Sequence, residues 1–353
     1  MKINFILPAP KGSGGINVIM KYAELFSREN KVTVYYPICP YYLKNDGIIN
    51  KFIYCLTRTC INFFRYKKNK INDNLLVKPV FKIDNCFIKN ADAIIATAWP
   101  TAYSVNKLNT NKGKKFYFIQ DFEIWDNKEK GLESYLLPLE KIVISKWINI
   151  QLKENLDIGP FPIIYNGIDY EGQLKNNVNF NKKINFLMLN HKLEKKGVNN
   201  GIKVFEKVKK LYPKSSLRMF GLCSGENLPE YVEYIQNPQK EEIIKLYAET
   251  DIFIFPSIEE GWGLTPLEAM ACGSVVVGTN TGFVLDLGIN KKNMMISEIN
   301  DVDAMVSNIK YLLNDYNKYF RIRQNGFELA NSLKWKKSYK KFNKIISRSK
   351  YEK

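Results

Sequence analysis

Between Ile252 and Val277 the chain reads as a strand, a glycine-bearing loop, a helix and a second strand in immediate succession. The apolar run Ile252 to Phe255 enters a loop holding Glu259, Glu260, Gly261 and Gly263. The helix that follows ends at Gly273, and Val275 to Val277 has the β-branched composition of a buried strand. Such a unit commits this part of the chain to an α/β layer structure and places a helix N-terminus at the end of a strand. The helix dipole and the first N–H groups, which have no partner inside the helix, make that loop a site for an anion. Glu260 and Glu268 flank it. A carboxylate cannot pair with a phosphate, so both must face hydroxyl donors, which a sugar offers on one side of a diphosphate and a ribose on the other.

Glu268 also has a plainer explanation. Thr265-Pro266-Leu267-Glu268 has the form of a capping box with Pro at the first helical position, in which Glu268 closes its own helix.

The alternation continues on both sides. In the first half, strands are predicted at Lys2 to Leu7, Val32 to Tyr36, Ala93 to Ala96, Lys115 to Ile119, Lys141 to Ile144 and Ile163 to Tyr165, with helices at 16–26 and 146–155. The stretch from about 40 to 80 reads as irregular, aromatic and basic. An Asn/Lys-rich segment from Gly172 to Lys183 reads as a linker. Strands at Ile184 to Leu189 and Leu217 to Phe220 follow, then helices at 201–211 and 241–248. After the opening unit come helices at 303–314 and 317–331 and a basic helix at about 335–349. A chain of 353 residues exceeds one comfortable core, so two domains are expected.

The string from Glu260 to Gly273 resembles the E-x7-E signature of glycosyltransferase family 4, with Trp262 where Phe is usual. The resemblance extends over nearly the whole chain and implies an α/β GT-B fold, two Rossmann-like doubly wound domains facing a central cleft. The expected division is 1–171 for an N-terminal acceptor domain and 172–331 for a C-terminal nucleotide-sugar donor domain. Residues 332–353 are expected to return to the first domain. For Glu260 the resemblance implies contact with hydroxyls of the transferred sugar, and for Glu268 contact with the ribose diol. Gly261, Trp262, Gly263, Leu264 and Thr265 would line the phosphate through backbone N–H groups.

The first loop, Pro8 to Asn17, follows a strand and opens a helix. It fails the dinucleotide pattern because Asn17 stands at the third glycine position. Gly14-Gly15 resembles the family loop that approaches the donor's distal phosphate and the acceptor, although a tight turn explains the pair as well. Ala96-Thr-Ala-Trp-Pro-Thr101 and Phe118-Ile-Gln-Asp-Phe-Glu123 lie just past strands, which makes Thr97, Trp99, Gln120 and Asp121 candidates for acceptor and sugar contacts. Trp99 can equally be a lid over a core edge. Many family members carry His where Gln120 falls, and these two loops resemble the subgroup that includes bacterial surface-polysaccharide rhamnosyltransferases.

In the second half, Asn190-His-Lys-Leu-Glu-Lys-Lys-Gly197 stands where the family has G-R-x-x-x-x-K-G, with Arg and Lys clamping the diphosphate. Lys196 keeps the Lys, and His191 replaces the Arg. Arg is always charged and forks onto phosphate, whereas His is mostly neutral near pH 7. Either the diphosphate holds His191 protonated or Lys192 takes its place.

These residues predict a retaining glycosyltransferase that moves a sugar from a nucleoside-diphosphate donor to a hydroxyl of a glycan or lipid-linked acceptor. It would serve the synthesis of surface polysaccharide or glycoconjugate, with no metal or other cofactor. Asp301-Val-Asp303 has the spacing of a metal pair but lies outside the motif cluster. Rival readings are a GT-B sugar-nucleotide epimerase, disfavoured by a single histidine, and a catalytically inactive glycan- or polyanion-binding protein.

The net charge of +18 has two sources. A chain rich in Lys, Asn and Ile carries compositional bias. Two segments also concentrate cations among aromatics: Arg58, Arg65, Lys67, Lys68 and Lys70 with Tyr54, Phe63, Phe64 and Tyr66, and the tail from Lys334 to Lys353. Both suit an anionic membrane surface or a lipid phosphate, and both also suit a solvated helix face. No motif for nucleic acid accompanies them, and no partner of that kind is expected. The six cysteines show no paired spacing, so reduced thiols are expected. No apolar run spans a bilayer, and the first residues read as a strand. The expected location is the cytoplasm, with peripheral contact at the inner face of the membrane.

Overall fold

A computed structural model describes residues 1–9, 14–38, 41, 72–170, 172, 174 and 183–348. Over these residues the chain divides into two compact units. The first is Met1–Ile144, Ile148–Tyr165 and Lys336–Lys353; the second is Ser145–Trp147 and Asn166–Trp335. The basic-aromatic cluster from Tyr54 to Lys70 and most of the predicted linker lie outside the described residues.

The first unit contains β1 (Lys2–Ile6), α1 (Gly14–Ser27), β2 (Lys31–Pro37), β3 (Leu75–Val80), β4 (Ala93–Ala96), α2 (Trp99–Asn106), β5 (Lys114–Ile119), α3 (Lys128–Ser134), β6 (Glu140–Val143) and α4 (Lys146–Leu156). Its sheet has the order β3-β2-β1-β4-β5-β6, with every pair parallel. Ile3, Phe5, Ile94, Ile95, Phe116 and Phe118 are fully buried, as strands covered on both faces require. Two sequence expectations change here. Leu75–Val80, expected to be irregular, is the edge strand, where Pro79, which has no N–H, does not break a ladder. Ile163 to Tyr165 forms a single parallel bridge, Val143 to Ile163, and no strand.

The second unit contains β7 (Asn185–Leu189), α5 (Val198–Leu211), β8 (Ser216–Gly221), β9 (Val232–Gln236), α6 (Lys240–Ala248), β10 (Ile252–Phe255), α7 (Leu264–Ala271), β11 (Val275–Thr279), α8 (Val284–Leu287), β12 (Met295–Ser297), α9 (Val302–Leu313) and α10 (Tyr316–Ser332). Sheet order is β12-β11-β10-β7-β8-β9, again all parallel. The edge strand β9 is half exposed and five residues long, and β12 is three residues long. Neither leaves a period in the sequence, which is why both escaped it. Asp301 caps α9 by accepting from Ala304 N at 2.8 Å, and Asp303 pairs with Lys207 at 2.5 Å. Both carboxylates therefore have structural partners.

Counted from its own first strand, each sheet is wound 3-2-1-4-5-6. The order reverses between β1 and β4 in one unit and between β7 and β10 in the other. In open parallel sheets a ligand binds beyond the carboxyl ends of the strands at such a reversal. Four of the candidate segments, those after β1, β4, β7 and β10, lie there, and Gln120 and Asp121 follow the neighbouring strand β5.

The last helix, α11 (Trp335–Arg348), belongs to the first unit from Lys336 onward. Phe342 is fully buried against the rings of Phe118 (centroids 4.8 Å apart), Tyr22 (5.1 Å), Phe26 (5.4 Å) and Phe5 (6.5 Å). Ser338 Oγ donates to Tyr165 O at 2.6 Å. Among the described residues no helix is long and apolar enough to cross a membrane.

Candidate functional site

At the reversal point of the second sheet, the loops after β7 and β10 are tied together through the backbone. Ile258 N and Glu259 N both donate to Lys195 O, at 2.8 and 3.1 Å. Gly197 ends the first loop with φ +63°, and a Cβ there would stand 1.9 Å from Pro256 O. Only glycine lets the two loops approach this closely. Their approach brings Lys196 Nζ to 2.6 Å from Glu260 Oε2, with both side chains 17% exposed. The chain thus joins the predicted phosphate cation and the predicted sugar carboxylate across 64 positions of sequence.

Gly263, at φ +95°, is the N-cap of α7 and contributes no side-chain hydrogen bond. Helix α7 therefore starts at Leu264, with Thr265 second and Pro266 third. This overturns the capping-box explanation of Glu268, because Thr265 is already inside the helix and Glu268 is its fifth residue. Pro266 costs no hydrogen bond, since first-turn N–H groups have no acceptor within the helix. At the other end Gly273 takes φ +89°, and the buried Arg323 donates through Nε to Gly273 O. A cation on the C-terminal carbonyls complements the dipole and leaves the N-terminal end for an anion. Gly282, which sequence reasoning passed over, packs on this loop. With φ +59°, a Cβ there would lie 2.6 Å from Trp262 O and 3.0 Å from Glu260 Cγ. Phe283 N donates to Trp262 O at 2.7 Å, and Trp262 is buried against the Phe283 ring.

Glu268 accepts a hydrogen bond at Oε2 from the hydroxyl of the fully buried Tyr247, 3.0 Å away. Burial raises its carboxyl to about 7, and the charge of Asp169 adds to the rise; the Tyr247 hydrogen bond and Lys240 oppose it. The same burial and Glu268 itself lift the Cys272 thiol to about 11. Sequence reasoning missed Tyr247, since an aromatic on an amphipathic helix carries no signal beyond core packing.

His191 is half-buried, and its Nδ1 accepts from Leu193 N at 3.0 Å. Burial lowers its pKa, and Lys196, Lys192 and Lys195 lower it further. The ring is therefore neutral, with its proton on Nε2, where it remains a donor. Lys192 is exposed. His191 and Lys192 both line a cavity of about 570 Å³, together with Asn190, Gly197, Asn227 and Ile258.

In the first unit, Gly15 at the start of α1 lies under Gln120, whose Nε2 would be 3.3 Å from an added Cβ. Gln120 Oε1 is buried with no partner among the described residues. A Cβ on Gly14 would meet nothing within 4 Å, so packing does not require glycine there. Thr97 is buried, and its hydroxyl donates to Ile6 O at 2.7 Å. That side chain ties β4 to β1 and has its one hydroxyl hydrogen committed there. Trp99 is also buried, its ring against Trp125 and Tyr103, the arrangement of a lid over a core edge. Its backbone N–H donates to Glu123 Oε2 at 2.7 Å, so Glu123 caps α2. Asp121 is half-buried and accepts from Phe122 N at 2.9 Å.

Residues 170–329 match the family model described as glycosyl transferases group 1. The chain is 27% identical over 201 residues to an uncharacterized glycosyltransferase, MJ1178, of Methanocaldococcus jannaschii, covering 56% of each chain. It is 29% identical over 178 residues to the capsular polysaccharide biosynthesis glycosyltransferase CapM of Staphylococcus aureus, covering 46% of this chain and 47% of that protein. It spans about half the length of these curated relatives. Among solved structures, Anabaena Alr3699/HepE in complex with UDP and glucose aligns with a TM-score of 0.72 at 15% identity, covering 99% of this chain and all of that one. Sucrose-phosphate synthase of Thermosynechococcus elongatus aligns at 0.71 and 16% identity, covering 98% of each. At these identities the structural likeness carries the fold, and the fold is GT-B.

Proposed function

We propose that the chain is a glycosyltransferase that takes a sugar from a nucleoside diphosphate and transfers it, with retention, to a hydroxyl acceptor. The observation that carries this reading is the Lys196–Glu260 pair at the open N-terminus of α7, with Glu268 one helical turn further on. A diphosphate at that helix end meets backbone N–H groups, Lys196 and the Nε2–H of His191. Glu260 then accepts from hydroxyls of the transferred sugar, and Glu268 from the ribose diol. In the transfer, the acceptor oxygen bonds to the anomeric carbon as the bond from that carbon to the phosphate oxygen breaks. The departing phosphate oxygen takes the acceptor's proton, as the resemblance to family 4 implies, so no protein group is assigned as general base. Lys196 and the helix N-terminus stabilise the charge growing on the leaving diphosphate. The reading includes no metal.

Gln120, Asp121 and Gly15 of the first unit are the residues we assign to acceptor and sugar. The match to a capsular polysaccharide enzyme supports a surface-polysaccharide acceptor, and the loops at Thr97–Thr101 and Gln120–Glu123 support the rhamnosyltransferase-like subgroup. Helix α11 exposes Lys336, Lys337, Lys340, Lys341, Lys344 and Arg348 and contains no acid, which suits contact with an anionic leaflet. Sedimentation with anionic and with neutral vesicles tests that contact.

The central test mixes the protein with UDP-, GDP- and dTDP-sugars, follows thermal stabilisation, and then assays transfer to glycan and lipid-linked acceptors. Stabilisation by a nucleotide sugar followed by transfer is the expected result. Binding without transfer would favour an inactive glycan-binding protein, the reading to which the neutral His191 lends weight. No binding at all would remove the donor site.

A further inference from the structure

We infer that Tyr247 is a positioning residue for the donor: its hydroxyl fixes the Glu268 carboxylate in the orientation that accepts the nucleotide's ribose hydroxyls. The inference rests on the proposed donor site and adds a residue to it that touches no substrate.

An ionised carboxylate accepts only, through two oxygens with about four lone-pair directions. Tyr247 occupies one of them at Oε2, 3.0 Å away, and leaves Oε1 and the remaining direction on Oε2 for two hydroxyls. Tyr247 itself has little freedom. It is fully buried, with its ring edge-on to Phe220 of β8 (5.8 Å), tilted on Phe253 of β10 (6.1 Å) and edge-on to Tyr170 (5.8 Å). Its carbonyl accepts from Ser274 Oγ at 3.2 Å. A donor held by two strands and a helix transmits a fixed direction to the group it binds, which a surface loop cannot do.

The charged and titratable groups packed around Glu268 come from three places in the second unit. On the segment entering the second unit stand Asp169 and Tyr170. That segment is pressed onto α7 by Gly172 N donating to Ala271 O at 3.1 Å, where a Cβ would lie 2.6 Å from that oxygen. Tyr247 and Lys240 lie on α6, and Cys272 follows α7. Asp169 favours the protonated acid, while Tyr247 and Lys240 favour the carboxylate. Only the carboxylate can take both ribose hydroxyls, so Tyr247 orients the group and also opposes the rise that burial imposes on it.

A buried tyrosine hydroxyl needs a partner in any protein, and Glu268 could serve only that need. The two roles separate by experiment. UDP and GDP are titrated into wild type, Tyr247→Phe and Glu268→Gln, each alongside its 2′-deoxy counterpart, between pH 6 and pH 9. In wild type we expect the 2′-deoxy nucleotide to bind roughly tenfold more weakly, the loss of one hydrogen bond to a charged acceptor. In Tyr247→Phe, which keeps the ring, that ratio should fall to about threefold or less. The acidic limb of binding should also move to higher pH, and donor KM should rise with little change in kcat. In Glu268→Gln the acidic limb should vanish.

A purely structural tyrosine would lower the melting temperature and leave both the deoxy ratio and the limb in place, which overturns the inference. Unchanged binding in Glu268→Gln, or a preference for dTDP, which has only the 3′-hydroxyl, overturns the diol contact itself. Failure of every nucleotide to bind wild type removes the donor site and this inference with it.

Discussion

Replacing Glu260 by Gln should separate binding of the diphosphate from binding of the sugar. Glu260 neutralises Lys196 at 2.6 Å, with 17% of each side chain exposed. The pair lies between a surface ion pair, worth about 0 to 1 kcal/mol, and a buried one, where removing a partner costs about 3 to 5 kcal/mol. Glu260→Gln should therefore lose about 1 to 2 kcal/mol of stability and stay folded. A bare nucleoside diphosphate no longer competes with the carboxylate for Lys196, so its affinity should rise about threefold to tenfold. The intact nucleotide sugar gains the same at its diphosphate but loses a charged acceptor for its hydroxyls, about 1.5 to 3 kcal/mol. The variant should thus prefer the bare diphosphate over the nucleotide sugar and should not transfer. Calorimetric titration of both ligands into both proteins, with a transfer assay beside it, measures each term. Near-wild-type turnover would refute the assignment of Glu260. Weaker binding of the bare diphosphate would refute the competition for Lys196.

Three further outcomes follow from the same geometry. His191→Arg should preserve or improve donor affinity and His191→Ala should weaken it; if titration finds neither effect, Lys192 is the better candidate for the second cation. Glu268→Gln should be more stable than wild type at pH 8, by about 1 to 3 kcal/mol, and no different near pH 4. The folded carboxyl titrates near 7 and the ordinary one near 4.5, so the folded state binds more protons between these values and wild type loses stability as pH rises through them. Denaturant melts at the two pH values check this. Phe342→Ala should cost about 3 to 5 kcal/mol in a denaturant melt, because it removes a fully buried ring touched by four others.

What was legible in the sequence was local. Ile252 to Phe255, Gly263 and Val275 to Val277 carry their conformation in their own composition, and the structure forms a strand, a loop end and a strand there. The alternation of apolar strands with amphipathic helices announced two doubly wound units, since a parallel strand buried on both faces needs a continuous apolar run. Elements without that pattern were missed: β3 carries Pro79, β9 is a half-exposed edge strand and β12 is short.

The chemistry of the candidate site was decided by tertiary structure. Lys196 meets Glu260 because Gly197 lets one loop rest on Pro256. Thr97 donates to Ile6 O because β1 and β4 lie side by side in the sheet. His191 is neutral because burial and three lysines act on it together. Glu268 titrates near 7, and is not a helix cap, because α7 begins one residue after Gly263 and Tyr247 reaches it from another helix. Sequence determines a residue's identity and the backbone around it. The charge of a buried group and the partner it meets depend on what the rest of the chain packs against it, and that is a property of the fold.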